Sequence, residues 1–239
     1  MFYLDNLAFD ATKLVKRGEA EMNPLLEELA DWIESKYGNR PLNIVMTSHY
    51  GTNRVCVKII FEFEKERRSL LSSDHFLSST HRNKSTAILK QLHKILSYNV
   101  DKKLFPKILC GPKRFKIFRP DIVYDFYLKF EAFAPAFISE TCQNLPQSAF
   151  DELVKQFNSD PLWTIARLGS WVTFFVFTEE QKVECLKKKR EREWNASIYS
   201  LVKRHDEFGY IKKNTFSVSV ESKEVFDTKY KGSWFYFFR

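Results

Sequence analysis

Long apolar runs are missing from this chain: no window of its 239 residues approaches eighteen uninterrupted apolar side chains, so no membrane-spanning helix and no membrane partner are expected. Glycine and proline are also scarce, seven and eight residues, which argues against low-complexity disorder. Cysteine is sparse and scattered. Cys56, Cys110, Cys142 and Cys185 form no C-x-x-C pair, so neither a disulfide framework nor a structural zinc site is expected. The start, Met1 to Asp5, lacks the basic segment and apolar run of a secretory signal, and a reduced, cytoplasmic protein is the expectation. Linear catalytic signatures are absent too: there is no G-x-S-x-G, H-E-x-x-H, G-x-x-x-x-G-K-[ST], G-x-G-x-x-G or EF-hand loop. Glu221-Ser222-Lys223 matches the E-x-K step of metal-dependent nucleases, but three residues recur by chance and no second carboxylate is identified. The histidines match no zinc or iron spacing, so no catalytic residue, metal or cofactor is assigned.

What the chain has in abundance is aromatic surface, with 23 Phe, ten Tyr and five Trp. With 44% hydrophobic and 28% charged residues the composition is that of a globular protein, and a chain of this length buries roughly 70–75% of its unfolded surface. Thirty-eight Lys and Arg against thirty Asp and Glu give a net charge of +8. The charges are segregated: Glu19 to Glu34 holds six acids and no base, whereas Asp101 to Arg119 holds seven bases and one acid.

Hydrophobic periodicity outlines the elements. Phe2 to Phe9 suggests a short strand, followed by a two-turn helix capped by Asp10. Asn23-Pro24 opens a long helix with Leu25, Leu29, Trp32 and Ile33 on one stripe, ended by Gly38. Asn43 to Tyr50 and Arg54 to Glu64 read as a hairpin, with Val55, Val57, Ile59, Phe61 and Phe63 on one face. A helical turn or two follows at Glu64 to Leu71, and Lys84 to Tyr98 has the spacing of a packed helix. Strands are expected at Arg114 to Phe118 and Ile122 to Phe133, then a loop at Ala134 to Gln147. A short helix opens near Ser148 and stops before Pro161. Leu162 to Leu168 and Trp171 to Phe177 form a second hairpin turned at Gly169-Ser170, and Thr178 with Gln181 makes a capping box for a long or broken helix ending at Gly209. Thr215 to Val220 and Trp234 to Phe238 read as strands joined by a polar loop.

These elements predict an α+β fold, mainly antiparallel sheet with helices on one face, in one globular body over residues 1–239. Residues 19–135 and 147–239 could be two pseudo-repeated helix-hairpin-helix-hairpin halves.

Three patches are candidates for function. Lys113, Arg114, Lys116 and Arg119 alternate with Phe115 and Phe118, the combination that neutralises phosphates and stacks bases, although a half-buried strand gives the same alternation. Lys187, Lys188, Lys189, Arg190 and Arg192 form a second basic cluster between Leu186 and Trp194, both expected to be buried. Neighbouring lysines could also lower the pKa of Cys185. The third patch is Trp234, Phe235, Tyr236 and Phe237: on a strand, consecutive rings point to both faces, so one face meets either the core or a partner, a homodimer included. The expectation is a non-catalytic protein that binds another protein, of adaptor or inhibitor type. Nucleic-acid binding through residues 102–119 and 187–192 is the alternative, and an enzyme whose site is assembled in space is a third.

Overall fold

The computed structural model describes residues 6–48, 54–71, 79–98, 125–158, 160–214 and 216–239. Among these residues the chain is α+β, with ten helices and two three-stranded sheets. It divides into two compact units at Ala136/Phe137.

The first unit begins with α1 (Asn6–Arg17), where a strand and a later cap at Asp10 were expected; Ala8, Phe9 and Thr12 recur at helical spacing and are buried. α2 (Pro24–Tyr37) is capped by Asn23, whose side chain accepts from the Leu25 amide at 3.0 Å, and it ends at Gly38, whose φ of 79° suits a residue without a Cβ. β1 (Asn43–Ser48) pairs antiparallel with β2 (Arg54–Phe61), and β3 (Asp125–Ala132) pairs with β2 in parallel. Between β2 and β3 lie α3 (Glu64–Leu71) and α4 (Ser79–Tyr98), as a parallel pair requires a long crossover. The expected strand at Arg114 to Phe118 lies outside the described residues. Leu29 and Ile33 of α2, Ile88 and Leu92 of α4, and Ile44, Val57, Ile59 and Phe61 of the sheet make the core. β2 is buried on both faces, because Cys56, Lys58 and Ile60 on its other side are also covered. That is the usual condition of a central strand with a parallel neighbour.

The second unit opens within α5 (Phe133–Asn144), a helix where a loop was expected. Pro135 occupies its first turn, where a missing amide hydrogen is tolerated, and Thr141 Oγ1 turns inward to donate to the Phe137 carbonyl. α6 (Gln147–Gln156) follows Pro146 without a side-chain cap, although Ser148 was expected to supply one. β4 (Leu162–Leu168) and β5 (Trp171–Val176) form the hairpin, and β6 (Ser217–Ser222) lies parallel to β5. α7 (Glu179–Lys187) and α8 (Arg190–Lys203) make the crossover, and the Thr178/Gln181 capping box opens α7. Trp194 sits at the centre of this core, fully buried and stacked on Phe174 at 4.9 Å. Its indole Nε1 donates to Asp160 Oδ2 at 2.9 Å, and the same carboxylate receives the Arg190 guanidinium, so the polar atoms of Trp194 and Asp160 are paired.

Each sheet therefore contains one antiparallel and one parallel pair, in the orders β1-β2-β3 and β4-β5-β6, instead of being mainly antiparallel. The expected second hairpin of the later half does not form: the polar loop after β6 is α9 (Lys223–Lys229), and the aromatic strand is a single helical turn, α10 (Trp234–Phe237).

Candidate recognition site

Two left-handed residues aim the aromatic segment. Ser222 ends β6 and caps α9, its hydroxyl accepting from the Val225 amide at 3.0 Å. α9 then stops at Tyr230, where Lys231 (φ 55°) and Gly232 (φ 65°) reverse the chain. The Gly232 amide donates to the Phe226 carbonyl at 3.0 Å, closing the helix end and starting α10 back across α9.

Helical geometry then sorts the rings. Successive side chains on a helix are about 100° apart, so positions 234, 237 and 238 share one side while 235 and 236 face the other. On the inner side Trp234 meets Phe226 at 4.2 Å and Phe175 at 5.3 Å, and Phe237 meets Phe175 at 5.1 Å. Trp163 completes the platform, parallel to Trp234 at 6.0 Å and 11°. An irregularity in β4 brings it there: Leu162 pairs with Val176 but Thr164 with Phe175, so Trp163 is the extra residue of a bulge and turns to the aromatic face.

On the outer side the rings stand in solvent. Phe235 is 68% exposed and Tyr236 52%. Phe235 and Tyr236 contact each other edge to face at 5.6 Å and 68°. Of the four aromatic residues expected to meet a partner, Trp234 and Phe237 face the platform, and of these two Trp234 keeps 39% of its surface exposed. Cations fringe the ridge: Arg239 lies over the Phe235 ring at 5.5 Å, Lys229 over Tyr230 at 5.2 Å and Lys223 over Trp163 at 5.2 Å.

The basic candidates fall elsewhere. Lys113, Arg114, Lys116 and Arg119 lie outside the described residues. Lys187, Lys188, Lys189, Arg190 and Arg192 sit at the corner between α7 and α8, where Lys189 takes a φ of 55° and the long or broken helix that was expected takes its broken form. Lys188 pairs with Glu184 at 2.6 Å, and Arg190 binds Asp160 and Glu193. Lys187, Lys189 and Arg192 remain exposed. Leu186 is exposed as well, and the buried residue of that turn is Cys185. Burial raises the Cys185 thiol pKa, against the expectation that neighbouring lysines would lower it.

Glu221, Ser222 and Lys223 are engaged in local structure. Lys182 bridges Glu221 at 2.5 Å, Ser222 donates to Glu179 at 2.5 Å, and Lys223 pairs with Asp227. Among the described residues no three His, Cys, Asp or Glu side chains are placed to hold a metal ion. An open surface depression of about 480 Å³ is lined, among the described residues, by Glu179, Glu180, Val183, Glu184 and Lys187, all from α7.

A polar cluster missed in the sequence lies on the second face of the first sheet. Lys58 on β2 stands opposite Lys129 on β3, with Glu131 two residues further along β3. Burial holds the Lys58 amine below the ordinary lysine value and pushes the Glu131 carboxyl up; Glu131 Oε2 has no hydrogen-bond partner among the described residues. Its signal in the sequence is Lys58 standing within the otherwise apolar run from Val55 to Phe61.

No described helix is long and apolar enough to cross a membrane. Comparison with protein-family models, with curated proteins and with solved structures finds no match to this chain.

Proposed function

We propose that this chain is a non-catalytic recognition protein that binds another protein through the ridge of Trp234, Phe235 and Tyr236. One observation carries the reading: two adjacent aromatic side chains, 68% and 52% exposed, are carried by a helical turn whose Trp234 and Phe237 pack on a base of rings. Rigid aromatic anchors lose little conformational entropy on binding and dominate interface energetics. Their edge-to-face contact makes a knob suited to an apolar pocket, whereas base stacking asks for an open ring face, and the Phe235 face is shared with Arg239. Peptide display against the native chain and against a Phe235→Ala/Tyr236→Ala variant tests this. Sequences enriched on the native chain and lost on the variant support the ridge as the site; enrichment indifferent to the variant speaks against it.

We further propose that the two units are copies of one module of two helices, a hairpin, two helices and a parallel strand. The third helix of each opens alike: Glu66 Oε2 accepts from the Phe63 amide, as Gln181 Oε1 accepts from that of Thr178. The first acid and the cation three residues on also correspond, Glu64 with Arg67 and Glu179 with Lys182. Equivalent sites should tolerate exchange, so Glu66→Gln and Gln181→Glu should each leave the melting temperature nearly unchanged while alanine at either lowers it. A loss on exchange as large as that on alanine replacement counts against common origin.

A further inference from the structure

The ridge carries a charge signature as well as an apolar one. Lys229, Lys231 and Arg239 are exposed, and no carboxylate of the described residues lies within ion-pair distance of any of them. The acids of the same stretch are engaged nearby: Asp227 pairs with Lys223, and Glu224 accepts from the Glu179 amide at 3.2 Å. Three cations without a carboxylate partner among the described residues thus lie in the same stretch as the exposed rings, Arg239 over the Phe235 ring and Lys229 over neighbouring Tyr230.

This excess decides what can cover the rings. A second copy meeting the same patch face to face would bring Lys229, Lys231 and Arg239 against themselves, and like charges at a desolvated contact cost binding energy. A basic partner meets the same repulsion. A segment carrying carboxylates around one or two apolar residues offers the opposite arrangement: an apolar side chain against Phe235 and Tyr236, and acids reaching the bordering amines and guanidinium. We infer that the partner of the Trp234–Tyr236 ridge is an acidic, apolar-punctuated peptide segment of another protein, an inference that rests on the ridge reading above.

The test is a fluorescence-anisotropy titration with labelled peptide pools, run on the full chain at low and at physiological salt. One pool has Asp or Glu at alternate positions with mixed apolar residues between; a second replaces the acids by Asn and Gln, a third by Lys, and an oligothymidylate serves as the nucleic-acid probe. The acidic pool should bind about ten-fold or more tightly than the neutral one, lose about ten-fold with Phe235→Ala/Tyr236→Ala, and lose most of its salt dependence with Lys229→Ala/Lys231→Ala/Arg239→Ala. Equal, ridge-dependent binding of the acidic and neutral pools overturns the charge inference and leaves the ridge reading standing. Tightest binding of oligothymidylate, lost in the Phe235/Tyr236 variant, overturns both in favour of nucleic acid. No pool binding above background, or binding indifferent to the Phe235/Tyr236 variant, also overturns both.

Discussion

Phe235 and Trp194 are both aromatic, yet they are set to different tasks, and substitution should separate them. Trp194 is fully buried on Phe174 and donates to Asp160, so Trp194→Ala is expected to destabilise the fold by about 3–5 kcal/mol in denaturant unfolding. Phe235→Ala/Tyr236→Ala removes exposed rings and should change stability by no more than about 0.5 kcal/mol. A loss near that of Trp194→Ala would make the ridge structural. The thiols give a chemical check. Burial raises the pKa of Cys56 and Cys185 and pushes Cys142 up to about 12, so alkylation at pH 8 mapped by mass spectrometry should leave these three unmodified until the chain is denatured. Lys58 predicts a pH effect. Its amine titrates below the ordinary lysine value when folded, so between the folded and unfolded values the unfolded chain holds more protons and stability rises with pH. Lys58→Met should abolish that alkaline rise; an unchanged slope would show that Lys58 is not its source. At this scale the sequence was a fair guide to the core stripes at Leu29 and Ile33 and at Val57 and Ile59. It missed buried Lys58, because whether the second face of a strand is covered depends on segments distant along the chain.

Among the elements, the helix-versus-strand errors share a cause. Trp234 to Phe238 has strand propensity, yet it forms a helical turn because Lys231 and Gly232 reverse the chain onto α9 and because i, i+3 and i+4 rings meet the Trp163–Phe175–Phe226 platform. That platform requires the β4 bulge, which no local pattern announces. Turn and cap chemistry was more legible: the Gly169-Ser170 turn, the Asn23 cap and the Thr178/Gln181 box stand where the residues put them. Gly169 offers a test of tight packing. It holds a φ of 59°, and a Cβ built there would lie 2.7 Å from Ser139 Oγ, whereas Gly38, at 79°, has open space. Backbone strain alone should cost Gly38→Ala about 1 kcal/mol, and Gly169→Ala should cost more. Adding Ser139→Ala should recover part of the excess; equal losses at the two glycines would contradict the close approach.

For the molecule as a whole, charge and composition pointed to a globular α+β chain, and pairing of β3 and β6 in parallel was the feature that linear reading could not reach, because hairpins are local and crossovers are not. The two units have separate cores, one around Leu29, Ile59 and Leu92 and one around Trp194 and Phe174. The central claim is that the second unit presents its aromatic ridge to a protein. The most direct measurement places a photo-crosslinking phenylalanine analogue at Phe235 or, as a control, at exposed Glu152 of α6, and compares adducts in living cells. The account predicts a discrete protein adduct from position 235 that is absent from position 152 and suppressed by Lys229→Ala/Lys231→Ala/Arg239→Ala. Adducts equal at both positions, or crosslinks to nucleic acid instead of protein, would contradict it.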